Sequence, residues 1–352
     1  MGRVNRQTQK NNIVLICEGT ETEYQYFNDI RNHVLQNFPE KFCDISIVPT
    51  AEEFTLANSR NKKLKKLRTP YSHSSYFYYV QFEDNKEDYE KYKSQPTRYV
   101  REAQLFMLNN GYMEAWAIFD KDQFHDHEKA FKLASEVNGL NIAFSSISFE
   151  TWILLHFERC ERSFCRSVCK ENRKDILCGS NLNKNDCHGL YCVGGYIRER
   201  GYIVDYHKEM PCLFDILKPK IQFAMLNTAW MRGQFSKHNI WESNPLTTVD
   251  FLIRRFLDFE EYEWMGNEAK FNFGSNKLNY SQNVLHNIGE NIFINEIVYF
   301  SKHMDIIKTA RFQLNPGECK TVSILKNAYY IGIKDKFKTK IFVLDNKPNS
   351  YC

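Results

Sequence analysis

The stretch IVLICEGTETEYQYF, residues 13–27, runs from an apolar segment directly into a group of carboxylates. Branched aliphatic residues make Ile13–Cys17 a short strand with a buried face. Glu18, Glu21 and Glu23 follow where that strand would leave the core, and Thr20 onward has helical composition to about Asn37. Two explanations compete for so much negative charge. Thr20 and Glu23 have the spacing of a capping box, and acids in a first helical turn are favoured by the helix dipole. Alternatively, the carboxylates hold a metal. Helix-start chemistry accounts for Glu21 and Glu23 but poorly for Glu18, which precedes the turn glycine.

Working outward, CDISIVPT (43–50), AWAIFD (115–120) and LNIAFSS (140–146) are further strand candidates. His127–Val137 has helical spacing, and ETWILLHF, from Glu150, starts another helix. Alternation of strand and helix predicts an α/β fold, a parallel sheet flanked by helices. Ligands of such sheets bind beyond the carboxyl ends of the strands, which is where Glu18 and Asp120 fall. Asp122 follows Asp120 at strand spacing in FDKDQF, so both side chains point the same way if the chain stays extended. Three carboxylates that close raise one another's pKa, and a divalent cation relieves the conflict. Mg²⁺ suits oxygen ligands and retains waters for a phosphate substrate; Mn²⁺ is the alternative.

Composition narrows the classes. With 352 residues, 43% apolar and 26% charged, the chain reads as globular, with room for one large domain or two ordinary ones. No run approaches the ~18 apolar residues of a membrane helix, and MGRVNRQTQKNN lacks the apolar core of a signal peptide. Eleven cysteines without such a signal point to reduced thiols and a cytoplasmic location. The net charge of +4 is too small to announce a nucleic-acid partner. Its local distribution says more. Arg60, Lys62, Lys63, Lys65, Lys66 and Arg68 form a basic run before Tyr71, Tyr76, Phe77, Tyr78 and Tyr79. Basic groups neutralise phosphates and aromatics stack on bases, so this insertion (about 51–96) is the candidate nucleic-acid contact. A solvated face beside an aromatic core strand is the plain alternative.

CEGTETEYQYF resembles the opening motif of the RloB-like proteins, a family with a Toprim-type catalytic core found in prokaryotic antiviral defence loci. FDKD resembles the family's Asp-Arg-Asp, with Lys121 in place of Arg. IAFSSISFETWILLHFE resembles the motif Ser-Asn-Pro-Cys-Phe-Glu-Leu-Trp, matching at Ser145, Phe149, Glu150, Trp152 and His156 and departing at Ser146–Ser148. GYIVDYHKEM is similar to a Tyr-x-Lys segment, and NPLTTVDFLIRRF to a closing Asn-Pro-x-Thr helix. The resemblance spans about residues 12–258, in order. It implies a Mg²⁺-dependent nuclease, with Glu18 as general acid/base or metal ligand and Asp120 and Asp122 as ligands. Glu23 and Glu150 become additional metal contacts, and Lys208 a stabiliser of developing phosphorane charge. It also implies control by an AAA or ABC-type ATPase partner. A non-catalytic, regulatory binding subunit is the rival reading, and nucleotidyl transfer has no nucleotide motif to support it.

Cys160, Cys165, Cys169, Cys178, Cys187 and Cys192, with His188, crowd one segment (about 160–192), but their irregular spacing favours ordinary cysteines over zinc. From residue 264 to 352, short alternating segments and turn signals such as NPGE predict a C-terminal β-sandwich-like domain after a catalytic domain of residues 1–263. RNA versus DNA, the trigger and any homo-oligomer are left open.

Overall fold

The computed structural model describes residues 11–18, 22–48, 91–92, 94–121, 125–164, 192–208, 210–235, 238–257, 259, 261–266, 269–273, 276–281, 283–302, 304–323, 325–334 and 340–345. The basic run at 60–68, Asp122, Thr20, Glu21 and the cysteines from 165 to 187 lie outside them.

Elements follow in the order β1 (Asn11–Cys17), α1 (Thr22–Asn37), β2 (Phe42–Val48), α2 (Gln95–Asn110), β3 (Glu114–Asp120), α3 (His127–Ser135), β4 (Leu140–Ser146) and α4 (Glu150–Leu155). Then come α5 (Val193–Glu199), α6 (Leu213–Leu217), α7 (Ile221–Gln234), β5 (Leu246–Thr247) and α8 (Val249–Leu257). The first sheet has strand order β2-β1-β3-β4-β5. β1 pairs in parallel with β2 and β3, and β3 with β4. Ile13–Cys17 are completely buried, as a strand covered on both faces requires. Thr22, Tyr26, Phe27, Ile30 and Val34 share the buried stripe of α1. From the centre of the sheet the chain turns first to β2 and then back to β3. The crevice where this order reverses lies at the carboxyl ends of β1 and β3, the place where open α/β sheets bind ligands.

The stretch NPLTTVDFLIRRFLDF departs from its expected reading as one capped helix. The Asn244–Pro245 peptide is cis, and Leu246–Thr247 form a short strand antiparallel to β4. α8 starts only at Val249. Proline lacks the N–H a helix interior needs, and both threonine hydroxyls bond to β4. Thr247 Oγ1 donates to the Phe144 carbonyl at 3.0 Å, and Thr248 Oγ1 accepts from the Phe144 N–H at 2.9 Å.

Fourteen strands in all are described, the last nine from β6 (Glu261–Gly266) through β7 (Ala269–Phe273), β8 (Asn276–Ser281), β9 (Val284–Asn287) and β10 (Phe293–Phe300). They continue with β11 (Ile306–Leu314), β12 (Cys319–Thr321), β13 (Tyr330–Lys334) and β14 (Lys340–Asp345). They form a five-stranded sheet, β11-β10-β13-β14-β6, and a four-stranded sheet, β12-β9-β8-β7. All pairs are antiparallel except β14 with β6. Between the sheets lies one apolar core that includes Phe271, Leu278, Leu285, Ile297, Phe312, Ile331 and Leu344. The expected β tail is therefore present.

The chain divides into two compact units. One comprises residues 1–154, 162–218 and 239–257; the other comprises 155–161, 219–238 and 258–352. The second unit thus takes in α7, and the reason is visible on its larger sheet. By strand alternation, Val298, Phe300, Tyr330, Ile341 and Val343 face away from the inter-sheet core, yet they are buried as well. α7 packs against β6, and the Arg159 guanidinium lies 4.3 Å from the Trp264 ring and 5.4 Å from the rings of Trp230 and Tyr330. Gly332 is part of this fit: a Cβ there would come within 2.6 Å of Ile341 and 2.7 Å of the Phe300 ring.

Candidate functional site

Glu18 is the first residue past β1, and its N–H still donates to the Ile118 carbonyl of β3 at 2.9 Å. Its carboxylate reaches over the strand end, where Oε2 accepts the Asp120 N–H at 2.9 Å. Asp120 is the last residue of β3. By alternation its side chain leaves the sheet opposite Phe119, whose ring packs among Tyr99, His127 and Phe144. Glu23 stands in the first turn of α1, the helix that follows β1.

Glu150 opens α4 and is buried. Ser148 Oγ donates to one of its carboxylate oxygens at 2.6 Å, and the Tyr206 hydroxyl to the other at 3.0 Å. The ring packing of the third motif holds α4 against α1. Phe149 sits edge-on to Tyr26 and Phe27, and Trp152 Nε1 donates to the Tyr26 hydroxyl at 3.0 Å. The peptide where the resemblance places Asn-Pro, Ser146–Ile147, is cis.

Lys208 comes from a distant segment, and Thr22 fixes it there: the Thr22 hydroxyl donates to the Lys208 carbonyl at 2.6 Å. Arg198 Nη1 donates to the Tyr206 carbonyl at 2.7 Å, so the Tyr206–Lys208 segment is tied through backbone and side chain.

Electrostatics report the convergence. Burial pushes the Asp120 carboxyl well above the usual carboxylate range. The charges of Glu23, Glu18 and Glu150 push it further, while Lys208 pulls it back. Burial likewise raises the Cys17 thiol, with Glu23 adding to it, and the Tyr206 hydroxyl, with Glu150 and Glu23 adding. Four acids and one lysine, from five separate segments, therefore share one field at the switch point.

The donor set fits a hard divalent cation: oxygen ligands only, in excess of the positive charge facing them. Glu150 has both oxygens engaged by hydroxyls. Among the described residues, no three His, Cys, Asp or Glu side chains stand together closely enough to hold a metal ion as they are. Cys160 and Cys192 are buried, and no zinc cluster occurs among the described residues.

Sequence reading missed Tyr206, Thr22 and Ser148. Tyr206 carried a signal, since it is the tyrosine of the Tyr-x-Lys segment. Thr22 and Ser148 carried none, because hydroxyl partners across 186 residues, or within a tight turn, have no sequence pattern.

No helix among the described residues is long and apolar enough to cross a membrane. No curated protein and no solved structure matches the chain. The sequence model described as RloB-like protein matches residues 13–256. That span holds every motif quoted above and well over half of the chain. On this evidence, the chain belongs to the RloB-like family.

Proposed function

We propose that the chain is a Toprim-type nuclease, a metal-dependent phosphodiesterase that cuts nucleic acid with Mg²⁺ or Mn²⁺. The observation that carries this reading is the gathering of Glu18, Glu23, Asp120 and Glu150 around one crevice, with Lys208 pulling against them. Helix-start chemistry accounts for Glu23 and Glu150 but not for Glu18 and Asp120, which sit at the ends of two neighbouring strands, nor for the other three all acting on Asp120. A bound divalent ion would polarise the scissile phosphate and lower the pKa of its water. Glu18, Glu23 and Asp120 would hold the ion, and Asp122 would join them by resemblance. Glu18, with its carboxylate braced on the Asp120 N–H, would also move a proton. Lys208 faces the same charge and would meet the negative charge that develops on the phosphoryl oxygens. Glu150 would orient Tyr206 and through it the lysine segment.

The basic run at 60–68 would carry the substrate backbone, and a prokaryotic antiviral role under an ATPase partner follows from the resemblance. The decisive experiment incubates the full chain with labelled RNA and with plasmid DNA, in Mg²⁺, Mn²⁺ or EDTA, beside Asp120→Ala. Metal-dependent cleavage lost in the variant supports the reading. Cleavage that survives EDTA or Asp120→Ala overturns it. Tight, metal-independent binding without cleavage would favour the rival regulatory subunit.

A further inference from the structure

Lys121 follows Asp120 in FDKD, yet its ammonium turns to a different part of the fold. Its N–H continues the β3–β4 ladder by donating to the Ser145 carbonyl at 2.8 Å. The chain is thus still extended, and the Lys121 side chain leaves on the face opposite Asp120. Among the described residues, the charges that act on Asp120 are those of Glu23, Glu18, Glu150 and Lys208. The Lys121 ammonium instead donates to the Glu242 carbonyl at 2.9 Å and the Ser243 carbonyl at 3.4 Å. These carbonyls close the short 3₁₀ turn Ile240–Glu242 and lead directly into cis-Pro245 and β5.

That receiving segment is itself fixed. Ser163 Oγ donates to the Asn244 carbonyl at 2.5 Å, and the Asn244 amide donates to the Phe164 carbonyl at 3.0 Å. Thr247 and Ser145 hydroxyls meet at 3.0 Å, and Trp241 packs on Phe131 of α3 with ring centroids 5.4 Å apart. A lysine bound to such a frame holds the tip of β3 from behind, on the side away from the acids.

We propose that Lys121 is a positioning residue: its tie to the 242–243 carbonyls fixes the end of β3, so that Asp120 presents its carboxylate at the metal site. The proposal rests on the metal-site reading above. Partners that orient metal ligands typically change metal affinity by about 10–100-fold when removed. A lysine and an arginine both reach carbonyls as donors, so arginine should replace it, whereas an uncharged methionine of similar length should not.

The test uses the full chain with Lys121→Met and Lys121→Arg. Hydrogen exchange of residues 118–121 and 240–247 is followed without metal, alongside melting and Mn²⁺ titration. Lys121→Met is expected to speed exchange in both segments and weaken Mn²⁺ binding about tenfold or more, with melting little changed. Lys121→Arg should restore both. Unchanged Mn²⁺ affinity in Lys121→Met overturns the proposal, and so does an arginine variant that is as defective as methionine. A loss of affinity seen only with a collapse of melting makes the lysine merely structural and also overturns it. If the wild-type chain binds no Mn²⁺ at all, the metal reading itself falls and takes this role with it. Wild-type binding with an unaltered methionine variant removes the role alone.

Discussion

Replacing Glu150 separates two roles that its position in the third motif leaves entangled. Its two oxygens accept hydroxyls from Ser148 at 2.6 Å and Tyr206 at 3.0 Å, and all three residues are buried. Glu150→Ala leaves both hydroxyls without their acceptor. Each buried polar group so stranded costs about 1–3 kcal/mol, giving about 2–6 kcal/mol for the pair. For a unit of this size each kcal/mol lowers Tm by about 2–4 °C. The metal-free variant should therefore melt at least about 4 °C lower. Glu150→Gln keeps one oxygen for a hydroxyl and offers its amide to the other, which can turn and accept. It should melt close to wild type and retain Mn²⁺ affinity within a few-fold. Thermal melting and Mn²⁺ titration of both variants check this. A Glu150→Ala protein as stable as wild type would refute the hydrogen-bond argument. Loss of Mn²⁺ binding in a well-folded Glu150→Gln would show that the carboxylate is a metal ligand after all.

Three further outcomes follow from the geometry. Glu18→Ala and Asp120→Ala should each lower cleavage at least about 100-fold with the fold intact; Lys208→Ala should cost about 10²–10³ in kcat through lost charge stabilisation. Wild-type turnover in a folded Lys208→Ala would remove the lysine from the mechanism. The Asp120 carboxyl is raised by burial and by its acidic neighbours, so the metal-free folded state holds a proton that the unfolded chain has released. Between the ordinary carboxylate range and that raised value, this group lowers metal-free stability as pH rises. Mn²⁺ binding expels the proton, so affinity should climb up to about tenfold per pH unit across the same window; titrations giving a flat profile there would contradict it. A chain ending near residue 263 should aggregate, since it cuts β6, the strand against which α7 packs, and removes the sheet that β6 pairs into; a soluble, monomeric product in light scattering would show that α7 is covered without that sheet.

The α/β core was legible because Ile13–Cys17 and Ala115–Phe119 are uninterrupted apolar runs, each followed directly by an acid. Cys17–Glu18 and Phe119–Asp120 mark strand ends to the residue. β5 was not legible, because two residues cannot display a period; only the bonds from Thr247 and Thr248 to β4 reveal it. The outer layer of the β unit was also hidden. Val298, Phe300 and Tyr330 sit at positions that period-two reading assigns to solvent. Phe300 and Tyr330 meet the rings of Tyr262 and Trp264 on β6, and the Arg159 guanidinium also lies over Tyr330, contacts that no local window contains.

The site shows the same limit at finer scale. Acids at strand exits can be found from sequence, since burial ends where charge begins. Whether they share a field depends on strand order, and the reversal between β1 and β3 is what brings Glu18 beside Asp120 while α1 delivers Glu23. The identity of the compensating cation depends on more still. Lys121 is adjacent to Asp120 in the chain, but alternation turns it to the opposite face and onto the carbonyls of 242–243. Among the described residues, Lys208, 88 residues away by numbering, is the lysine whose charge acts on Asp120, and its carbonyl is held by Thr22. Adjacency in the chain alone would favour Lys121 as charge partner, whereas the Tyr-x-Lys resemblance already pointed to Lys208, the lysine that acts on Asp120. The carboxylates at the exit of β1 are tolerated because that exit is where the sheet reverses direction and a cation, protein-borne or metallic, can reach them.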